Sequence, residues 1–243
     1  MKTTPYGICV FLASLIGLSL IRNIKQLYIV LLLLSVFLQS FLTKVSNKTY
    51  NMSGYITIIP ILFYIFIPCK EIRELLVALS VALAIGRIGC YYAGCCTGKE
   101  KEQFIVYEGD YSVNKKLNKK YVDVHPTIIL EIVLQFLIAF VVYKADYAPF
   151  WFGILNALLI MGTNQWRMNK RMEDGNHRLP IISLTMYALL SLYSCGKVPK
   201  LQLNFTPKIW KAIVAFILSI IVSNDYNVVH IEKKINSFNN YLK

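Results

Sequence analysis

The chain has 243 residues, 56% of them hydrophobic, and a mean hydropathy of +0.51. This apolarity is laid down in repeated blocks rather than short alternating strands, which excludes an ordinary soluble domain and points to a polytopic membrane protein. The formal charge of +13, from 26 Lys+Arg against 13 Asp+Glu, would raise nucleic acid as a partner in a soluble protein. Here the basic residues sit in short loops beside apolar runs, where anionic lipid headgroups are their natural match, so no nucleic-acid partner is expected.

Taken in order, the first run extends from Tyr6 to Ile21. It lacks a small-x-small cleavage site and another run follows at once, so it reads as a retained helix. The second, Leu27 to Leu42, is leucine-rich. A polar connection, 43–54, precedes the third run, Tyr55 to Cys69, where Pro60 should kink the helix unless a neighbour satisfies the freed carbonyl. Residues 70–74 read as a compact charged turn, and the fourth run extends from Leu75 to about Gly94.

Residues 97–126 read as an extramembrane arm. Phe104 to Tyr107 and Tyr121 to Val124 are short, β-branched and aromatic, with a polar stretch between them, and predict a small β-hairpin. A fifth run spans Ile128 to Tyr143, with Pro126 in its first turn and Glu131 just inside. The sixth spans Phe150 to Thr163 and continues into polar residues through Arg171. The seventh is Ile181 to Cys195 and the eighth Ile209 to Ser223. The expected fold is all-α: one membrane helix bundle over residues 1–243, with seven or eight spans and the hairpin outside the bilayer.

The stretch from Ala84 to Gly98 stands apart. It sets Arg87, four glycines (Gly86, Gly89, Gly94 and Gly98) and three cysteines at the end of an apolar run. A guanidinium in hydrocarbon needs an anionic or polar partner and marks a functional site by default, although at a span's end it could also snorkel to a headgroup. The glycines suit close approach of helices or of a ligand, or helix packing alone. Cys9, Cys69 and Cys195 lie in or at the ends of apolar runs and are expected to pack as small hydrophobes. Cys90, Cys95 and Cys96 are packing residues, a thiol activated by Arg87, or ligands for a soft metal. Their Cys-x4-Cys-Cys spacing matches no recognised zinc pattern and no metal is expected. On the thiol reading, Cys90 or Cys95 should alkylate faster than Cys9, Cys69 or Cys195.

Gly86-Arg87-Ile88-Gly89, then Gly94 and Gly98, followed by His125-Pro126-Thr127 and Glu131, resembles the prolipoprotein diacylglyceryl transferase family. That family carries Gly-Arg-x-Gly-Asn, then Asn-Gly-Glu and a further Gly, then His-Pro-Ser-Gln-Leu-Tyr-Glu at the start of the next span. The resemblance covers roughly residues 55 to 195. Cys90 stands where the family has Asn, and Cys95 where it has Glu. The family's His-Gly-Gly motif has no match at Met52-Ser53-Gly54. Between the sixth and seventh runs the family carries an Arg, a Glu and another Arg; Asn164, Met168 and Arg171 fall there, or Arg167 with Arg171 in a shifted register.

The resemblance implies transfer of a diacylglyceryl group from phosphatidylglycerol to a lipoprotein cysteine, without a cofactor. The partners would be an anionic phospholipid and a cysteine-containing lipoprotein precursor. Such chemistry needs cations for the departing phosphate, met by Arg87 with Arg167 or Arg171, and a base for the thiol. His125 is the histidine nearest the expected site, and Glu131 is a second candidate base or an orienting group for His125. The alternative is a non-catalytic or thiol-redox membrane protein that keeps the fold and its lipid pocket. Loop charge places both termini in the cytoplasm, whereas the resemblance implies an N-terminus outside.

Overall fold

The computed structural model describes residues 5–22, 25–45, 52–92, 103–104, 122–123, 127–166, 178–197 and 208–225. Among the described residues there are eight helices and one short ladder. The helices are α1 (Pro5–Leu20), α2 (Gln26–Val45), α3 (Met52–Phe66), α4 (Cys69–Tyr92), α5 (Thr127–Lys144), α6 (Ala148–Trp166), α7 (Arg178–Cys195) and α8 (Ile209–Asp225). In every one the apolar block of the sequence satisfies its backbone polar groups within itself, the condition for burial in hydrocarbon. The cores of α4 (Cys69–Tyr91) and α5 (Thr127–Lys144) are long and apolar enough to cross a membrane, and five further helices carry shorter apolar stretches. Large apolar side chains also point outward: Phe37, Ile65 and Phe140 are 68%, 62% and 60% exposed. Water would disfavour such a surface; lipid would not.

The packing closes on itself. α8 lies on α1, α1 on α4, α4 on α5, α5 on α6, α6 on α7, α7 on α3 and α3 on α2, which returns to α8; α4 also touches α6 and α3. α4 is thus the central helix, and near its C-terminal end Ala84, Gly86, Arg87, Gly89 and Cys90 are buried. Pro60 lies inside α3, which continues through it.

Three boundaries differ from the sequence reading. α3 stops at Phe66. Residues 70–74 are the opening of α4, not a turn, because the chain re-enters a helix directly after Pro68 and Glu71 sits favourably in the first turn. α6 continues past Thr163 to Trp166. In the arm, Gln103 pairs with Asp123 and Phe104 with Val122 in antiparallel register; the rest of the expected hairpin lies outside the described residues.

A larger correction concerns the cysteines. Cys69, opening α4, and Cys195, closing α7, form a disulfide across a Cα–Cα distance of 5.3 Å, where separate packing was expected. They meet because α4 starts and α7 ends at the same face of the bundle. α7 itself stops at Gly196, whose φ of 53° is the left-handed conformation that ends helices. The same face is tied by Lys25 Nζ to Glu71 at 2.8 Å, by the Arg22 backbone N–H to Glu74 at 3.2 Å, and by Lys211 Nζ to the Ile21 carbonyl at 2.7 Å. A guanidinium N–H of Arg73 donates to the Ala145 carbonyl between α5 and α6.

α6 and α7 pack closely at Gly153. A Cβ there would meet the Leu184 carbonyl oxygen at 2.7 Å and Ala188 Cβ at 2.8 Å. Gly153→Ala is therefore expected to lower stability by about 1–3 kcal/mol through overpacking. Gly162→Ala on the same helix meets nothing within 4 Å and should be neutral or slightly stabilising. Thermal melting of the two variants in detergent compares them directly; equal melting temperatures would mean that α6 and α7 do not pack this closely.

Candidate functional site

Arg87 lies five residues before the end of α4 and Glu131 four residues after the start of α5, so at 1.5 Å per residue each is about 6–8 Å inside its helix. α4 and α5 run side by side in opposite directions, and this brings the two to the same depth. Arg87 Nε donates to Glu131 Oε2 at 2.9 Å, with the side chains 6% and 1% exposed. The guanidinium thus faces the bundle interior rather than lipid. A charge-assisted bond of this kind fixes the plane of the guanidinium, and with it the direction of all its N–H groups.

Polar residues continue from this pair into the bundle. Glu131 and Gln135 are one turn apart on the buried face of α5, and Gln135 Nε2 donates to Asn156 Oδ1 on α6 at 2.8 Å. Asn156 Nδ2 in turn donates to the Phe152 carbonyl at 2.9 Å. Thr127, Thr163 and Asn164 are buried where α5 begins and α6 ends. The sequence reading passed over Gln135, Asn156 and Thr163. Their signal was present as polar residues at helical spacing inside apolar runs: four residues from Glu131 to Gln135, seven from Asn156 to Thr163.

Gly86 and Gly89 are buried in α4 beside Arg87. Cys90, one turn on, is 1% exposed and is not disulfide-bonded. Cys69 and Cys195 are bridged, so the expected difference in alkylation reduces, among the described cysteines, to Cys90 against Cys9. Gly94, Cys95, Gly98, His125, Arg167 and Arg171 lie outside the described residues. Glu131 was read as a base or as the support of His125; its partner here is Arg87. Among the described residues no cluster of His, Cys, Asp and Glu could hold a metal ion.

The model of the prolipoprotein diacylglyceryl transferase family matches residues 54–195. The chain belongs to this family. The matched region runs from α3 to the end of α7 and contains the Arg87/Glu131 pair, the arm and the bridged cysteines; α1, α2 and α8 fall outside it. Among curated relatives, the phosphatidylglycerol--prolipoprotein diacylglyceryl transferase of Clostridium tetani (strain Massachusetts / E88) is 43% identical over 67 residues. That stretch is 27% of this chain and 26% of the relative, so the chain matches about a quarter of the relative's length. No solved structure matches the chain.

Proposed function

We propose that the chain is a multi-pass membrane transferase that moves a diacylglyceryl group from a phosphatidylglycerol-type lipid to a cysteine thiol. The observation that carries this reading is the buried Arg87/Glu131 pair within the family's matched region. In the reaction a sulfur–carbon bond forms at the glyceryl carbon, the carbon–oxygen bond to phosphate breaks, and glycerol phosphate leaves. The thiol proton passes to a base. Arg87 is assigned to the phosphate, where negative charge grows in the transition state. Glu131 is a positioning residue that holds the guanidinium in place. Arg167 or Arg171 supplies the second cation and His125 the base. Gly86, Gly89, Gly94 and Gly98 allow the lipid close to the backbone, and the arm 97–126 lies outside the bilayer over the site. The chemistry calls for no cofactor.

The spans assigned to the bilayer are the eight helices, supported by the outward-facing Phe37, Ile65 and Phe140. Cys90 and Cys95, in place of the family's Asn and Glu, are assigned to the lining of the reacting centre.

The test is turnover by the purified full chain given phosphatidylglycerol and a cysteine-containing peptide. Glycerol phosphate should appear in step with a peptide heavier by one diacylglyceryl group, and Arg87→Lys should lower the rate because lysine lacks the planar fork. Binding of phosphatidylglycerol without either product would overturn the transferase reading in favour of a non-catalytic protein that keeps the lipid pocket.

A further inference from the structure

At the membrane face opposite Arg87, the bundle leaves an apolar cleft between the α1/α4 pair and the α2/α3 pair. Its volume is about 110 Å³, and it is lined by Gly17 of α1, Ile21 just after that helix, Tyr28 and Leu32 of α2, Phe63 of α3 and Leu79 of α4, among others. The lining runs along α1 and just past its end, from Ala13 to Ile21, about 12 Å at helical rise. The cleft therefore starts near the face and reaches toward the middle of the bundle. An apolar cavity of about 150 Å³ stays dry and accepts a benzene-sized guest, so this one suits a segment of an acyl chain and excludes a headgroup.

Two further observations bear on the occupant. Tyr28 lines the cleft and is 5% exposed, yet among the described residues its hydroxyl has no hydrogen-bond partner. A buried phenol left unmatched is costly, and a tyrosine at the membrane interface ordinarily finds a polar group of the lipid. The rim beside it is cationic. Lys25 Nζ, which also pairs with Glu71 at 2.8 Å on the exposed surface, lies 5.9 Å from the Tyr28 ring centroid, and Lys208 is exposed one turn before Lys211, which is itself bonded to Ile21 at the mouth of the cleft. Lys70, Lys144 and Lys197 extend this exposed positive charge across the face, against Glu71, Glu74 and Asp146.

We propose that this cleft binds one anionic glycerophospholipid at a site separate from the Arg87 site. One acyl chain enters between α1 and α2, an ester or glycerol oxygen accepts from the Tyr28 hydroxyl, and the phosphate lies at the lysine rim. Tail insertion provides affinity, and the rim provides selectivity for negative headgroups.

The experiment is native mass spectrometry of the full chain in detergent, equilibrated with equal dioleoyl-phosphatidylglycerol and dioleoyl-phosphatidylcholine. One retained phosphatidylglycerol should persist in the paired variant Arg87→Met/Glu131→Leu, in which the other site has lost its charges. In that background Tyr28→Phe should reduce retention roughly three- to tenfold, the equivalent of one hydrogen bond. Lys25→Gln with Lys208→Gln should bring the two lipids close to equal occupancy. Ser14→Phe, which fills the cleft from α1, should abolish retention; Tyr28→Phe keeps the test valid if that larger change prevents folding. Retention that vanishes with Arg87→Met/Glu131→Leu, or that ignores both Tyr28→Phe and the lysine substitutions, would overturn the proposal. Because binding is read without turnover, an inactive transferase would leave this result standing.

Discussion

Arg87→Ala is expected to abolish any turnover and also to destabilise the protein by about 3–5 kcal/mol, the usual consequence of removing one member of a buried ion pair. Glu131, 1% exposed and bonded to the guanidinium at 2.9 Å, would be left as a buried carboxylate without its counter-charge. The cost arises from that stranded charge more than from the lost attraction. Replacing both members, as in Arg87→Met/Glu131→Leu, should therefore recover most of the melting temperature while remaining inactive. Melting in detergent, read beside turnover, separates the two roles. If Arg87→Ala melts like the parent protein, the pair is not buried as described. If the double replacement keeps activity, Arg87 does not act on the phosphate.

The second large effect is expected at the disulfide. Cys69 and Cys195 are 126 residues apart in sequence. In a freely unfolding soluble chain, closing a loop of that length would be worth close to 5 kcal/mol in the chain-entropy account. Helices held in a bilayer or micelle keep part of their order when packing is lost, so Cys69→Ser should cost less, about 2–4 kcal/mol. The loss should concentrate where α3, α4 and α7 meet, since Tyr64 of α3 also bonds the Leu190 carbonyl near the end of α7. Alkylation in denaturant provides the chemical check: Cys9 and Cys90 should label without reductant, and Cys69 and Cys195 only after reduction. Complete labelling without reductant would show that the bridge is absent. An unchanged melting temperature for Cys69→Ser would show that it does not hold the helices.

Much of the helical order was legible in the sequence because a long apolar block leaves the backbone few choices. An apolar block must satisfy its own N–H and C=O groups, so runs such as Ile128 to Tyr143 appear within a residue or two of the helix they form. Arg87 and Glu131 were legible for a related reason, as charges inside apolar runs demand an explanation. The misreadings came where local composition had a second interpretation. Residues 70–74 resemble an exposed turn in sequence, yet they form helix, with Ile72 and Arg73 buried against neighbouring elements. Lys211, which the sequence does not single out, is 1% exposed and bonded to the Ile21 carbonyl.

The sequence alone determined that the chain is a set of apolar helices carrying a charged motif near the end of the fourth, because helix formation and the cost of a buried charge are local properties of a residue and its medium. Which groups meet was decided only by tertiary structure. The pairing of Arg87 with Glu131, the bridge between Cys69 and Cys195, and the cleft beneath Tyr28 each join residues from separate helices. Partners of that kind depend on which helices pack and at what depth, and no local pattern of side chains specifies this.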